Sequence, residues 1–144
     1  MANEVTVTVG DVRPLQGAVI RRAKATEALA YGDAVYVDSA TGDLPNVSKA
    51  GAAAVNALLV AYGVAVAGNP SNPGATSIAL GDQVDVVVLG PVTGYSSMTP
   101  GNTIWLSDTV GRLSTVVGTK SCILGIAETA QTLFVNPHVA IKSV

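Results

Sequence analysis

A chain of 144 residues that is 49% hydrophobic, 12% charged and 4% aromatic suits one domain with its own core. Eight basic against ten acidic side chains leave a formal charge of -2, and with no basic cluster beyond Arg21-Arg22 a surface for gripping nucleic-acid phosphates is excluded. The single Cys122 excludes a disulfide framework and a CxxC metal pair, and Met1-Ala-Asn-Glu-Val5 lacks the basic and apolar regions of an export signal.

Ordinary soluble domains carry about a quarter charged residues. A surface this poor in charge is badly protected against association, so assembly with copies of itself or with a partner is expected. In chain order, Val5, Val7 and Val9 alternate with Thr6 and Thr8, the period-2 pattern of a half-buried strand. A terminal strand of this kind either tucks into its parent sheet or adds onto a neighbour's sheet edge. Residues 1–16 are expected to form this strand or extended arm, and residues 17–144 a single β body. After a turn at Pro14 and Gly17, a strand is predicted through Ala18-Val-Ile-Arg-Arg22. Residues 25–31 have the composition for one or two helical turns ending at Gly32. Short β-like runs follow at 34–37, 59–67, 83–89, 103–106, 122–127 and 131–135, separated by Gly, Pro, Asn and Asp. This spacing predicts an all-β, mainly antiparallel small barrel or sandwich with at most one or two short helices. The apolar stretch 51–68 comes near spanning length but is Ala- and Gly-rich and has no basic flanks, so it reads as a lead into a buried strand and no membrane contact is expected. Gly68-Asn-Pro-Ser-Asn-Pro-Gly74 reads as a stiffened loop, either a long hairpin connection or a contact tip.

An internal echo ties these runs together. Gly32-Asp-Ala-Val-Tyr-Val-Asp-Ser-Ala-Thr-Gly-Asp-Leu44 aligns without gaps on Gly101-Asn-Thr-Ile-Trp-Leu-Ser-Asp-Thr-Val-Gly-Arg-Leu113. Val35 then matches Ile104, Tyr36 matches Trp105 and Val37 matches Leu106. Each copy is predicted to be a strand followed by a tight hairpin, with a positive φ at Gly42 and Gly111. Further on, Tyr62-Gly-Val-Ala65 matches Leu124-Gly-Ile-Ala127, and Val84-Asp-Val86 is set against Leu133-Phe-Val135. Two related β units, neither able to bury both faces alone, would pair into one barrel or sandwich. The shared strand position places Tyr36 and Trp105 in the core and leaves Tyr95 freer.

Catalysis needs a nucleophile or an acid/base pair with a partner to tune it. His138 is the sole histidine and reads as an exposed surface imidazole beside Pro137; Cys122 opens an apolar strand and reads as a buried, inert thiol. No G-x-S-x-G elbow, phosphate loop or dinucleotide fingerprint is present. Asp38-Ser-Ala-Thr-Gly-Asp43 resembles an acidic calcium loop, but at the echoed turn Asp38 becomes Ser107 and Asp43 becomes Arg112, so turn geometry is the shared requirement. Asp82 and Asp85 read as turn or edge residues. No catalytic residue, metal ligand or cofactor is assigned, and a non-enzymatic protein is expected.

Val12-Arg-Pro-Leu-Gln-Gly-Ala-Val19, Tyr31-Gly-Asp-Ala-Val-Tyr-Val37 with Thr41-Gly-Asp-Leu44, Tyr62-Gly-Val-Ala-Val-Ala-Gly68, Gly81-Asp-Gln-Val-Asp-Val86 and Leu124-Gly-Ile-Ala-Glu-Thr-Ala130 together resemble tailed-bacteriophage capsid decoration (cement) proteins. The likeness is one of glycine spacing and β pattern and covers most of the chain. It implies a small structural virion protein, made in the host bacterial cytoplasm, that sits on the outside of the phage head. There it clamps neighbouring subunits of the major capsid protein, as a homotrimer. Under this reading Val5, Thr6, Val7, Thr8, Val9 and Arg13 are the expected partner-contact residues, the strand extending a sheet of the capsid protein or of a sister subunit. Two other readings stay open. A tail- or fibre-associated β domain binding a receptor glycan would need an exposed aromatic platform drawn from Trp105, Tyr95 or Tyr36. A small trimeric β-barrel enzyme of nucleotide metabolism would need catalytic Asp and Ser/Gly motifs that the chain lacks.

Overall fold

The computed structural model describes residues 3–53, 61–67 and 77–139. Valine-rich runs punctuated by glycine favour a pleated, half-buried backbone over a helix, and strands dominate accordingly. They are β1 (Thr6–Val7), β2 (Arg13–Pro14), β3 (Val19–Ala25), β4 (Leu29–Ala30), β5 (Ala34–Thr41), β6 (Leu44–Lys49), β7 (Gly63–Val66), β8 (Ser77–Ile78), β9 (Gln83–Thr93), β10 (Tyr95–Ser96), β11 (Thr103–Leu106), β12 (Leu113–Ser114), β13 (Cys122–Ala127) and β14 (Leu133–Val139). One 3-10 turn, Val9–Asp11, is the helical content of the described residues. The all-β expectation therefore holds.

β9 is the wall shared by two units. Its first half pairs with β3 along one edge and β7 along the other. β7 pairs with β5 and β5 with β6, and β6 runs parallel to β3, which closes a five-stranded barrel. Closure leaves these strands few open edges, the usual solution for a small all-β core. The second half of β9 pairs with β14, and the sheet continues through β13 and β11 to β12. One continuous core serves both parts: Ala23, Val35, Val47, Val64, Val84 and Val86 from the barrel, and Ile104, Leu106, Leu113, Leu124 and Leu133 from the extension, are all fully buried.

The sequence echo is a repeat of backbone geometry. Strand order β6-β5-β7-β9 in the first unit is matched by β12-β11-β13-β14 in the second. Register agrees too: Ala34 faces Val64 and Val35 faces Gly63, as Thr103 faces Ile126 and Ile104 faces Gly125. Three hydrogen bonds recur at equivalent positions. Gly32 N donates to Ala65 O at 2.7 Å and Gly101 N to Ala127 O at 2.7 Å; Ala65 N donates to Asp33 O at 2.9 Å and Ala127 N to Asn102 O at 3.0 Å; Asp33 N donates to Ala30 O at 3.2 Å and Asn102 N to Thr99 O at 3.1 Å. The matched glycines also share a cause. A Cβ on Gly63 would lie 2.1 Å from Val87 O, and one on Gly125 would lie 1.8 Å from Phe134 O. A neighbouring strand's carbonyl crosses the place where any side chain would begin, so only glycine fits.

Four expectations change in detail. Residues 25–31 form no helical turn, because tertiary bonds claim their backbone: Ala25 N donates to Asp82 O and Thr26 N to Val47 O, both at 2.9 Å. The first hairpin is tight, with Thr41 facing Leu44 and Gly42 at φ +62, but the second is wider. There Leu106 already faces Leu113, Ser107 N donates to Arg112 O, and the turn runs from Thr109 to Arg112. The last echo match shifts by two residues, since Ala65 faces Val86 as Ala127 faces Leu133. Finally, Tyr36 and Trp105 do share a position but are only half-buried, because their fully buried neighbours Val35, Ile104 and Leu106 take the interior. Within 51–68, Gly63–Val66 is a strand buried throughout, inside the run expected at 59–67, of which 59 and 60 lie outside the described residues, and no helix among the described residues is long and apolar enough to cross a membrane. The loop 68–74 lies outside the described residues.

Candidate functional site

The alternating segment lies on its own body. Val5 N donates to Leu113 O and Thr115 N to Asn3 O, so residues 3–5 cover the edge of β12. Thr6 and Val7 pair with Ser96 and Tyr95, and Thr8 N donates to Gly94 O. Arg13 and Pro14 pair with Thr93 and Val92, while Ala67 N donates to Val12 O. Residues 3–15 thus form a strap that ties the second unit to the barrel, and the extended arm becomes a docked one. The reason is visible in Val5, which is completely buried, and in Glu4, whose carboxylate pairs with the Arg112 guanidinium at 3.5 Å. Val7 is half-buried above Gly32, where a Cβ would come within 2.7 Å of its Cγ1. Alternation ends at Val9, which enters the 3-10 turn and is exposed. Of the six expected contact residues, Thr6, Thr8, Val9 and Arg13 present side chains to solvent, whereas Val5 and Val7 serve the chain's own core.

Beside the strap lies an apolar surface that the linear sequence conceals. Directly opposed residues of antiparallel strands project on the same face. Pro91 of β9 faces Phe134 of β14, and Phe134 faces Ile126 of β13. On the other side of Pro91, Leu15 N donates to Pro91 O at 3.0 Å and extends the row. Two residues along β9, Leu89 faces Val19 of β3. Ile126 is 52% exposed, and Leu15, Val19 and Leu89 are each at least 40% exposed. Their inward neighbours Val92, Leu133 and Val135 fill the core, so this row is the outer face of the same sheet.

Polar chemistry near this face is modest. An open cleft of about 320 Å3 at the strap is lined by Thr8, Asp11, Arg13, Thr93, Ser96 and Gln131, among others. Asp38 binds no second carboxylate; it accepts hydrogen bonds from the hydroxyls of Thr26, Ser48 and Ser39. Partial burial works against ionisation there, but the bonds from Ser48, Thr26 and Ser39 prevail and hold its carboxyl below the usual range. Asp85 pairs with Arg22 at 3.2 Å, and Asp82 accepts from Ala79 N within its turn. His138 is exposed, with Nδ1 against Asn136 O, and Cys122 is buried, which pushes its thiol up. Among the described residues no group of three or more His, Cys, Asp and Glu stands together. Tyr95, expected to be freer, is buried, and its hydroxyl donates to Gly32 O at 3.1 Å; burial raises its phenol well above the ordinary value.

Asp33 was not singled out by the sequence. It caps the Ala30 turn, accepting from Ala30 N at 2.9 Å, and burial raises its carboxyl despite that bond and the nearby charges of Lys49 and Arg112. The second unit's hairpin docks here: Ala34 N donates to Gly111 O, and Gly111 N to Ala50 O. Its echo partner is Asn102, an uncharged residue in the same turn, which could have flagged Asp33 as the exception. No protein-family model, no curated protein and no solved structure matches this chain.

Proposed function

We propose that this protein is a structural virion subunit that binds the outer surface of a phage capsid and clamps neighbouring major capsid subunits. The observation that carries the reading is the outer row in which exposed Leu15 and Ile126 flank half-buried Pro91 and Phe134, continued by exposed Leu89 and Val19. Contiguous apolar surface on a soluble protein marks a site of association, and the chain as a whole carries few charges to repel a partner. A homotrimer presenting three such faces would gain avidity from many identical copies on a shell. The resemblance in glycine spacing to decoration proteins supports the choice of partner. Thr6, Thr8, Val9 and Arg13, on the exposed side of the strap, would extend the contact beside the row.

A tail- or fibre-associated domain that binds a glycan is the second reading, favoured by the half-exposed Tyr36 and Trp105 and by the polar cleft next to Arg13. Co-sedimentation of the purified chain with expanded and unexpanded phage heads, with its solution mass measured alongside, separates the two. Saturable binding to expanded heads by a trimer supports decoration. Binding to a glycan array with none to heads supports the second reading.

A further inference from the structure

Strand β3 carries an edge that the described strands use only in part. Along residues 19–24 it pairs with β9 on one side. On the other side β6 reaches it only at Lys24 and Ala25. For residues 19–23 that second edge has no backbone hydrogen bond among the described residues. Natural sheets blunt such edges with charged side chains, proline, bulges or a covering element, and here charge protects only the second half of the stretch. Here the first two positions are β-branched and apolar, Val19 and Ile20, and they are 45% and 44% exposed. Arg21 and Arg22 follow, both exposed. Arg22 is already paired with Asp85, and Arg21 has no ion pair among the described residues.

We infer that the open edge of β3 at residues 19–23 is an acceptor for an added strand from another protein, one that alternates apolar and acidic residues. The alternation follows from the edge. Ile20 and Arg22 stand on one face and Arg21 and Ala23 on the other, facing Val87, Asp85, Val86 and Val84 of β9 respectively. A strand hydrogen-bonded beside them would lay an apolar side chain by Ile20 and, one residue on, a carboxylate by Arg21. Two copies of this chain pairing edge to edge would instead gather four arginines, so the charges select against self-pairing and for an acidic partner. Main-chain bonds would supply affinity and the Ile20 and Arg21 contacts specificity. The inference stands whether or not the partner is a capsid subunit.

The test uses the full chain and a blocked octapeptide alternating valine with glutamate, with amide exchange read residue by residue. Binding is expected to slow exchange of the outward amides within residues 19–23 by about tenfold or more, leaving β12 and β13 unchanged. The peptide in which lysine replaces glutamate should bind about threefold to fivefold more weakly, and Arg21→Glu should reverse that preference, since the attraction at Arg21 is exchanged for a repulsion. Arg21 is solvent-exposed, so the variant is expected to melt with the wild type. Protection that falls on another edge, equal binding of the two peptides, or no protection at millimolar peptide would overturn the proposal.

Discussion

Alanine at Gly125 would set its Cβ 1.8 Å from the Phe134 carbonyl oxygen, and alanine at Gly63 would set one 2.1 Å from the Val87 oxygen. A carbon and an oxygen in close contact sit about 3.3 Å apart. Each strand pair must therefore open by more than about 1 Å or give up its local ladder bonds. Overpacking alone costs about 1–3 kcal/mol, and each buried backbone bond lost adds about 1 kcal/mol. We expect about 3 kcal/mol or more from either substitution, equivalent to a fall of roughly 6–12 °C in Tm for a domain of this size. Gly10→Ala is the control, since no atom lies within 4 Å of a Cβ there, and its effect should stay within about 0.5 kcal/mol. Equilibrium urea unfolding gives each value as a change in midpoint at constant slope. A loss below about 1 kcal/mol at both sites would refute the close-approach argument. A large loss at one site with none at the other would refute the equivalence of the two units.

Val5→Ala should cost about 2–3 kcal/mol, two buried methyl groups plus a residual cavity, while Val9→Ala stays within about 0.5 kcal/mol; urea midpoints that reverse this order would mean the strap is not docked through Val5. For the same reason, removing residues 1–10 should weaken the body as well as any contact, so single substitutions on the exposed side of the strap test binding more cleanly. Asp33→Asn tests the buried carboxyl. Because folding raises that pKa, the wild type's stability from Asp33 is full below the unfolded value of about 3.9 and is lost as pH rises through the folded value. The variant should therefore match the wild type near pH 3 and melt higher at pH 7, where the wild type carries a charge it would rather not hold. A lower Tm at pH 7 would show that attraction to Lys49 and Arg112 outweighs burial.

The repeat was legible because glycine positions encode backbone constraints. Gly63 and Gly125 could be matched by their shared Gly-x-Ala pattern across one shift in spacing, and residues 103–106 and 122–127 form strands with the expected bounds. What the sequence hid depends on partners far along the chain. Strand β6 was not named as a strand: Pro45 has no amide to give a ladder and Asn46 is a poor strand former. Pro45 in fact faces Ala40 near the end of the hairpin, and Asn46 bonds the hydroxyls of Ser39 and Thr41 across it. Tyr95 looked free because its acceptor, Gly32 O, is sixty-three residues away. The outer apolar row was invisible for the same reason, since Leu15, Pro91, Phe134 and Ile126 meet only once four strands are in register. The period-2 pattern of residues 5–9 announced a strand that forms only at Thr6–Val7, since Val9 enters a 3-10 turn, and it could not say whose sheet that strand would join.

The central claim is that the outer row is the face that grips a phage head. Ile126→Glu places a charge at its most exposed member, 52% open to solvent, and should leave folding within about 0.5 kcal/mol of the wild type. Co-sedimentation of wild type and variant with expanded heads tests the claim directly. The account predicts saturable binding of the wild type and at least about a tenfold loss for Ile126→Glu, as expected when an unpaired charge is buried in an apolar contact. Equal binding of the two proteins, or no binding of the wild type, would contradict it.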